Sequence, residues 1–256
     1  MRVRLPGYVR LTSPTATGIA LEGCRASIES ILANETVYDF AARQPSRKQF
    51  KGRAPVYSLG LGDGCGDAVV RRSMRGGALA ALHTDLFLPP TRGLRELVTS
   101  LRLRGAGVHT PEVIAFIRYR AGPIFRRSDI VTREISGGVD LASALAHPGN
   151  ADFRSEMLDA AAILVAALSR EGAHHSDLNL RNIIVSTSPA GDSDHLQAFI
   201  LDVDRIRFHF PGDPVVLSAN IARLVRSMRK LRDRGELTID DSEIENLRRR
   251  AMEPAG

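Results

Sequence analysis

The spacing of apolar residues predicts a β-rich first half of the chain. Apolar positions that alternate with polar ones between turn residues predict strands, which span residues 3–12, 56–61, 68–74, 113–119 and 128–134. Apolar positions three to four residues apart predict helices over residues 22–43 and 94–104. Most of the predicted strands therefore lie before residue 136.

The pattern then becomes helical. Helical spacing of apolar residues predicts helices over 153–170, 215–234 and 240–251, and Gly172 is expected to cap the first of them. Gly137 and Gly138 mark a natural hinge. We therefore predict an α+β, bilobal, protein-kinase-like fold. It has an N-terminal extension over residues 1–50, a small β-rich lobe over 51–136 and a helical lobe over 137–256.

Composition narrows the class of protein. The chain is 43% hydrophobic and 25% charged, as in ordinary globular proteins. Aromatic residues make up only 5%, with no Trp, which argues against a sugar-stacking lectin or a base-stacking RNA binder. A net charge of +6 favours acidic partners such as nucleotide phosphates, anionic lipid or nucleic acid. No secretion signal or long apolar run is apparent, so we expect a cytoplasmic protein or one on the inner surface of a membrane.

The two cysteines do not suggest a structural framework. Cys24 and Cys65 are too few for a set of disulfides, and their spacing matches no metal site. Free thiols in a reducing compartment are the expectation.

Candidate chemistry is concentrated between residues 174 and 204. Asp177 is followed five residues later by Asn182 and then by an apolar strand, and the next predicted strand ends at Asp202. Phosphotransferases of the kinase type need these three groups: one Asp for the acceptor hydroxyl, and an Asn and a second Asp for metal ions on the nucleotide phosphates. Each side chain alone would be explained equally well as the cap of a turn. Their combination favours phosphoryl transfer from ATP with Mg²⁺.

Two neighbouring residues are assigned roles beside this site. His175 precedes Asp177 by two positions, and we assign it to bracing the catalytic loop, with a role as catalytic base the less favoured alternative. Asp204 is a rival to Asp202 as metal ligand, and it ranks second because it lies farther from the end of the strand.

The first lobe must bind the nucleotide phosphates. We predict that Arg71, on a strand, does so and is oriented by Glu96 on the next helix. A solvent-facing position is the alternative for each of them. The phosphate-binding loop is placed at Gly52 and Arg53, because the glycines between residues 60 and 66 fit the turn between two strands better.

These motifs resemble those of the lipopolysaccharide kinases of Gram-negative bacteria, which include the Kdo (3-deoxy-D-manno-octulosonic acid) kinases. The resemblance covers roughly residues 52–227 and rests on segments 52–54, 70–77, 91–96, 175–182, 201–205 and 220–227. It implies ATP-dependent phosphorylation of a Kdo 4-hydroxyl on a lipid A precursor. The partner would be an anionic glycolipid of the Kdo-lipid A type, met by peripheral contact with the inner face of the inner membrane, and nucleic acid is not expected to bind.

The chain also departs from the family pattern. Val203, Ala54 and Ser73 replace a Phe, a Gly and an aromatic residue, which leaves the acceptor sugar open. After Asp204 the chain has little room for a peptide-docking subdomain, so we expect a small-molecule or glycolipid acceptor. The alternatives are a phosphotransferase acting on another sugar or small molecule, and a pseudokinase that binds nucleotide without turnover.

Overall fold

Two compact units make up the chain in the computed structural model. The structure describes residues 5–45, 49–50, 55–62, 64–73, 93–122, 125–147, 151–187 and 196–253. The first unit comprises residues 1–98 and 112–134, and the second comprises residues 99–111 and 135–256.

A seven-stranded antiparallel sheet forms the first unit. Its strands are β1 (Tyr8–Thr12), β2 (Ala16–Leu21), β3 (Gln49–Phe50), β4 (Val56–Gly60), β5 (Asp67–Arg72), β6 (Val113–Ala121) and β7 (Phe125–Arg133). They are arranged in the order β1-β2-β6-β7-β5-β4-β3. The first two strands therefore belong to the same sheet as the rest, although the sequence placed residues 1–50 in a separate extension.

Helices α1 (Arg25–Leu32) and α2 (Val37–Arg43) belong to the first unit, and α3 (Gly93–Gly105) begins in it. Apolar residues of α1 and α2 pack on one face of the sheet. Ile28 of α1, Val37 of α2 and Val70 of β5 are all completely buried in this core. Successive residues of a strand point to opposite faces, so Arg71 and Arg72 at the end of β5 face different neighbours.

The single helix predicted over residues 22–43 is wrong. A short 3₁₀ turn over Glu22–Cys24 precedes α1, and α1 and α2 are separate helices. The second helix has its own N-cap, because the Thr36 side chain accepts a hydrogen bond from the backbone N–H of Asp39. Apolar spacing continues across this interruption, which explains the error.

The expectation of free thiols is also corrected. Cys24 and Cys65 are joined in a disulfide with their Cα atoms 5.5 Å apart. The turn between β4 and β5 brings Cys65 beside the start of α1, a tertiary contact that sequence spacing does not reveal. Cysteine usage therefore gives no support for a reducing compartment.

The second unit is predominantly helical. Its helices are α4 (Leu141–Ala146), α5 (Ala151–Arg170), α6 (Pro214–Asp233) and α7 (Asp241–Met252). Its short strands are β8 (Val139–Asp140), β9 (Ala173–His175), β10 (Ile183–Thr187), β11 (Leu196–Ile200) and β12 (Ile206–Phe208). Gly172 follows α5 with φ 65°, as expected of the predicted cap.

A continuous apolar core joins these elements. Leu164 and Val165 of α5, Leu224 and Met228 of α6, and Leu247 of α7 are all buried in it. Within the residues that the structure describes, no helix is both long enough and apolar enough to cross a membrane. A sheet-rich first unit and a helix-rich second unit confirm the predicted α+β class.

Candidate active site

The loop after β9 is held in shape by two asparagine side chains. Asn179 and Asn182 each donate a hydrogen bond from Nδ2 to the backbone carbonyl of Asp177, at 2.8 and 2.9 Å. The Asp177 side chain itself is exposed. The two amides therefore fix the backbone of Asp177 and leave its carboxylate directed to solvent or to a ligand.

His175 lies beneath this loop and is completely buried. Its Nδ1 accepts a hydrogen bond from the backbone N–H of Asp177 (3.2 Å), and its Nε2 lies 3.0 Å from the carbonyl of Leu201. Burial lowers the pKa of His175 below its usual 6.5. A neutral ring with its proton on Nε2 satisfies both contacts, so the geometry is that of a brace.

Two side chains of α6 support the same loop. Asn220 is completely buried; its Oδ1 accepts from the backbone N–H of His175 (3.1 Å), and its Nδ2 donates to the carbonyl of Ala173 (3.0 Å). The Ser227 hydroxyl accepts from the backbone N–H of Leu180 (3.2 Å). In the sequence these two residues stood out only as part of the family resemblance, because nothing in their spacing indicates contact with residues 173–180.

Asp202 follows β11 in a left-handed backbone conformation, with φ 51° and ψ 41°. It has the only positive φ among the non-glycine residues that the structure describes. Such a conformation is uncommon for a side chain other than Asn or Asp, and it concentrates at functional sites. Asp204 lies two residues further on, and both side chains are half-buried.

Hydrogen bonds between two segments of the chain bring the predicted metal ligands together. The N–H of Leu201 donates to the carbonyl of Asn182 (2.8 Å), so the residue before Asp202 is bonded directly to Asn182. The Ser176 hydroxyl also donates to the carbonyl of Arg205 (2.9 Å). The second unit therefore places Asp177, Asn182 and Asp202 on two segments that are hydrogen-bonded to each other.

This donor set fits a magnesium ion. Because Nδ2 of Asn182 is directed to the loop, its Oδ1 is the atom left to bind a cation, and Asp202 adds a carboxylate. Mg²⁺ prefers such oxygen ligands and in kinases takes one or two from protein and the rest from phosphates and water. Among the described residues, no group of three or more His, Cys, Asp or Glu side chains could hold a metal ion by itself. Phosphate and water oxygens would therefore have to complete the coordination.

The first unit contains the predicted cationic pair. Nη2 of Arg71 donates a hydrogen bond to Oε1 of Glu96 on α3. The side chains are 30% and 13% exposed, so the guanidinium is accessible while the carboxylate is largely enclosed. The two predicted side chains are in contact, and their role in binding the nucleotide phosphates stays a prediction. The predicted phosphate loop at Gly52 and Arg53 lies outside the described residues.

A second, largely buried cluster, which the sequence did not indicate, lies on the other face of β5. Arg72 contacts the completely buried Asp129 (3.3 Å) and Asp39 on α2 (3.1 Å), and its guanidinium lies 4.3 Å from the ring centre of Tyr38. Burial raises the pKa of Asp129, and the nearby Arg72 opposes that shift. Adjacent arginines thus fix opposite faces of one strand, Arg71 toward α3 and Arg72 toward α2.

Comparison with known proteins gives a consistent result. A profile of the lipopolysaccharide kinase (Kdo/WaaP) family matches residues 48–248. A 3-deoxy-D-manno-octulosonic acid kinase of Xylella fastidiosa strain M12 is 32% identical over 72% of this chain and 70% of its own length. One from Vibrio vulnificus strain YJ016 is 29% identical over 70% of this chain and 72% of its own.

A solved structure shares the fold. The structure titled "WaaP in complex with acyl carrier protein" matches 88% of this chain and 85% of its own, with a TM-score of 0.53 and 18% identity. The similarity extends over both units, and it confirms the two-lobed fold class expected from the sequence.

Proposed function

Because the chain belongs to the lipopolysaccharide kinase (Kdo/WaaP) family and is a phosphotransferase acting on a sugar hydroxyl, we propose that it transfers the γ-phosphoryl group of ATP to the 4-hydroxyl of Kdo on a lipid A precursor. One observation carries this proposal. The exposed carboxylate of Asp177 lies on a loop whose backbone is fixed by Asn182, and Asn182 is bonded to the residue before Asp202.

Asp177 acts on the acceptor. Its carboxylate orients the sugar hydroxyl in line with the γ-phosphoryl group. It accepts the hydroxyl proton as the new O–P bond forms and the bond from the γ-phosphorus to the bridging oxygen breaks, which releases ADP. Phosphoryl transfer depends mainly on positioning and on charge stabilisation. The hydrogen bonds from Asn179 and Asn182 to the Asp177 carbonyl, and from the Asp177 N–H to His175, supply that positioning.

Asn182 and Asp202 would hold Mg²⁺ through an amide oxygen and a carboxylate oxygen. The bound ion would supply positive charge that offsets the charge on the nucleotide phosphates. Arg71 contributes a second source of positive charge to the nucleotide phosphates, and Glu96 sets the orientation of its guanidinium. Arginine replaces the lysine usual at such a position, and its planar guanidinium can contact phosphate and carboxylate together.

The acceptor also determines where the protein works. Lipid A precursors are membrane-bound and anionic, and ATP is available on the cytoplasmic side. We therefore place the protein at the inner face of the inner membrane, in peripheral contact with it. The net charge of +6 supports attraction to an anionic leaflet.

An acceptor panel tests the proposal. The purified protein is incubated with labelled ATP and Mg²⁺ and with Kdo-lipid A, a heptosylated core oligosaccharide or simple sugars. We expect label on Kdo-lipid A alone, at the Kdo 4-hydroxyl. Transfer to a heptose or another sugar would assign a different acceptor to the same chemistry, and no transfer with intact nucleotide binding would indicate a pseudokinase.

A further inference from the structure

A basic groove lies along α6 of the second unit and is bordered by α7. It has a volume of about 520 Å³, and we call it the α6–α7 groove. Its lining residues are Ala222, Val225, Arg226, Arg229, Lys230, Asp233, Arg234 and Arg248. Five cations and one carboxylate therefore surround a space large enough for a phosphorylated headgroup.

The groove is separate from the loop that carries Asp177. Asn220 and Ser227 of α6 bind that loop. A helix turns by about 100° per residue, so Arg226 and Arg229 project from a different side of α6 than Asn220 and Ser227 do. Arg226 and Arg229 therefore lie away from the side of α6 that supports the loop bearing Asp177.

Few of these cations have a close counter-charge in the protein, although the pKa of Asp241 is lowered mainly by its hydrogen bond with Arg232 and to a smaller extent by the charge of Arg229. In the described part of the chain, Arg226, Arg229 and Lys230 are exposed and form no hydrogen bond or ion pair through their side chains. Arg234 and Arg248 contact carboxylates only at 3.7 and 3.9 Å. Asp233 also lines the groove, but its side chain is 72% exposed. Its carboxylate lies 3.9 Å from Arg232, which is not a lining residue. Clustered like charges repel one another, and an anion in the groove removes that repulsion.

Arg248 adds an independent observation. Its Nε is buried and lacks an acceptor among the described residues. Because that atom is shielded from solvent, a phosphate in the groove would bind the outer guanidinium nitrogens of Arg248, whose side chain is 37% exposed.

We infer that the α6–α7 groove binds the phosphate of an anionic lipid headgroup at the membrane surface. This inference rests on the proposed membrane-bound acceptor for its biological setting, but the binding itself does not depend on catalysis. A lipid is favoured over free phosphate because the cations are exposed at an open surface and because the exposed Ala222 adds an apolar group that can contact the headgroup carbons.

Vesicle binding provides the test. The intact protein is sedimented with phosphatidylcholine vesicles that contain or lack phosphatidylglycerol. The variant Arg226→Gln/Arg229→Gln/Lys230→Gln should bind the anionic vesicles at least about tenfold more weakly than wild type. Gln preserves the helix, and none of the three residues has an ion pair to lose, so folding should be unaffected.

A matched control distinguishes binding at a specific site from attraction by the overall charge of the protein. Arg10→Gln/Arg170→Gln/Arg207→Gln removes the same charge from three exposed positions outside the groove. This variant should bind within about twofold of wild type, the change expected from long-range charge alone. Equal weakening in the two triple variants, or none in either, would overturn the inference.

Two further ligands distinguish the source of the phosphate. Inorganic phosphate and a short DNA duplex are tested as competitors of vesicle binding. When the phosphate concentration of the competitor equals that of the lipid in the vesicles, neither competitor should displace the protein. If one of them displaces the wild-type protein but does not bind the Arg226→Gln/Arg229→Gln/Lys230→Gln variant, the groove is a site for soluble phosphate or for nucleic acid instead. Vesicle binding without any kinase activity would sustain the inference while removing the proposed function.

Discussion

His175 Nδ1 accepts a hydrogen bond from the backbone N–H of Asp177, the residue two positions further along the chain. The imidazole is completely buried, and its other nitrogen contacts the carbonyl of Leu201, next to Asp202. One neutral side chain therefore connects the two segments that carry the proposed acceptor-orienting and metal-binding carboxylates.

Acid should destabilise the protein through His175. Because burial lowers its folded-state pKa below 6.5, the unfolded chain binds a proton first as the pH falls. The stabilisation by neutral His175 is complete at a pH above the pKa of this residue in the unfolded chain. It is lost as the pH falls toward the pKa in the folded protein, by at most about 1.4 kcal/mol per pH unit. His175→Gln should flatten this dependence in urea unfolding, whereas the exposed His147→Gln should retain it. Identical slopes for wild type and His175→Gln would contradict a buried neutral imidazole.

Asn220→Ala should affect both stability and turnover. The change leaves the buried His175 N–H and Ala173 carbonyl without their partners, which should lower the free energy of unfolding by about 3 kcal/mol. It should also lower kcat, because the loop bearing Asp177 loses its support from α6. The exposed Asn246→Ala on α7 is the control and should change stability by less than about 0.5 kcal/mol. A loss of stability with unchanged kcat would show that α6 does not position the loop.

Glu96→Gln tests the cationic pair of the first unit. Loss of the charge-assisted hydrogen bond leaves Arg71 less well oriented, so the KM for ATP should rise and kcat should fall, for about a tenfold loss in kcat/KM. Steady-state kinetics measures both constants. Glu29→Gln removes an exposed ion pair with Arg25 in the same unit and should leave them unchanged. Kinetics of Glu96→Gln that match those of Glu29→Gln would remove Arg71 from the nucleotide site.

Asp202→Asn tests the metal site. Asparagine also tolerates the left-handed conformation at this position, so the backbone should be retained. Nucleotide affinity measured by calorimetry with Mg²⁺ should fall at least about tenfold, because a neutral amide is a weaker ligand than a carboxylate. Without Mg²⁺, wild type and variant should bind nucleotide alike. The same comparison for Asp204→Asn decides between the two carboxylates, and a larger effect there would transfer the metal role.

Sequence patterns predicted the regular elements best where one face of an element is continuously apolar. The helix expected over residues 153–170 is α5 (Ala151–Arg170), and the one expected over 215–234 is α6 (Pro214–Asp233). Strand β2 was missed because Gly18 and neighbouring threonines interrupt the apolar alternation. Apolar residues also continue at helical spacing across the break between α1 and α2, so the sequence did not indicate that Thr36 caps a separate helix.

The site divides in the same way. Asp177, Asn182 and Asp202 were predictable because chemistry fixes their residue types and their order along the chain. The cluster of Arg72 and Asp129 was not, because its members lie on separate strands and only the register of β5 against β7 pairs them. Such contacts depend on tertiary structure, which local sequence does not encode.

Phosphoryl transfer by Asp177→Asn tests the central claim most directly. The rate of label transfer from ATP to Kdo-lipid A is measured for wild type and variant under the same conditions. The substitution retains the backbone carbonyl that Asn179 and Asn182 bind, so the loop should keep its shape. We predict a loss of about 100- to 10 000-fold in kcat, the range for removing a positioned acid or base. A rate near that of wild type would contradict the assignment of Asp177 to the acceptor hydroxyl.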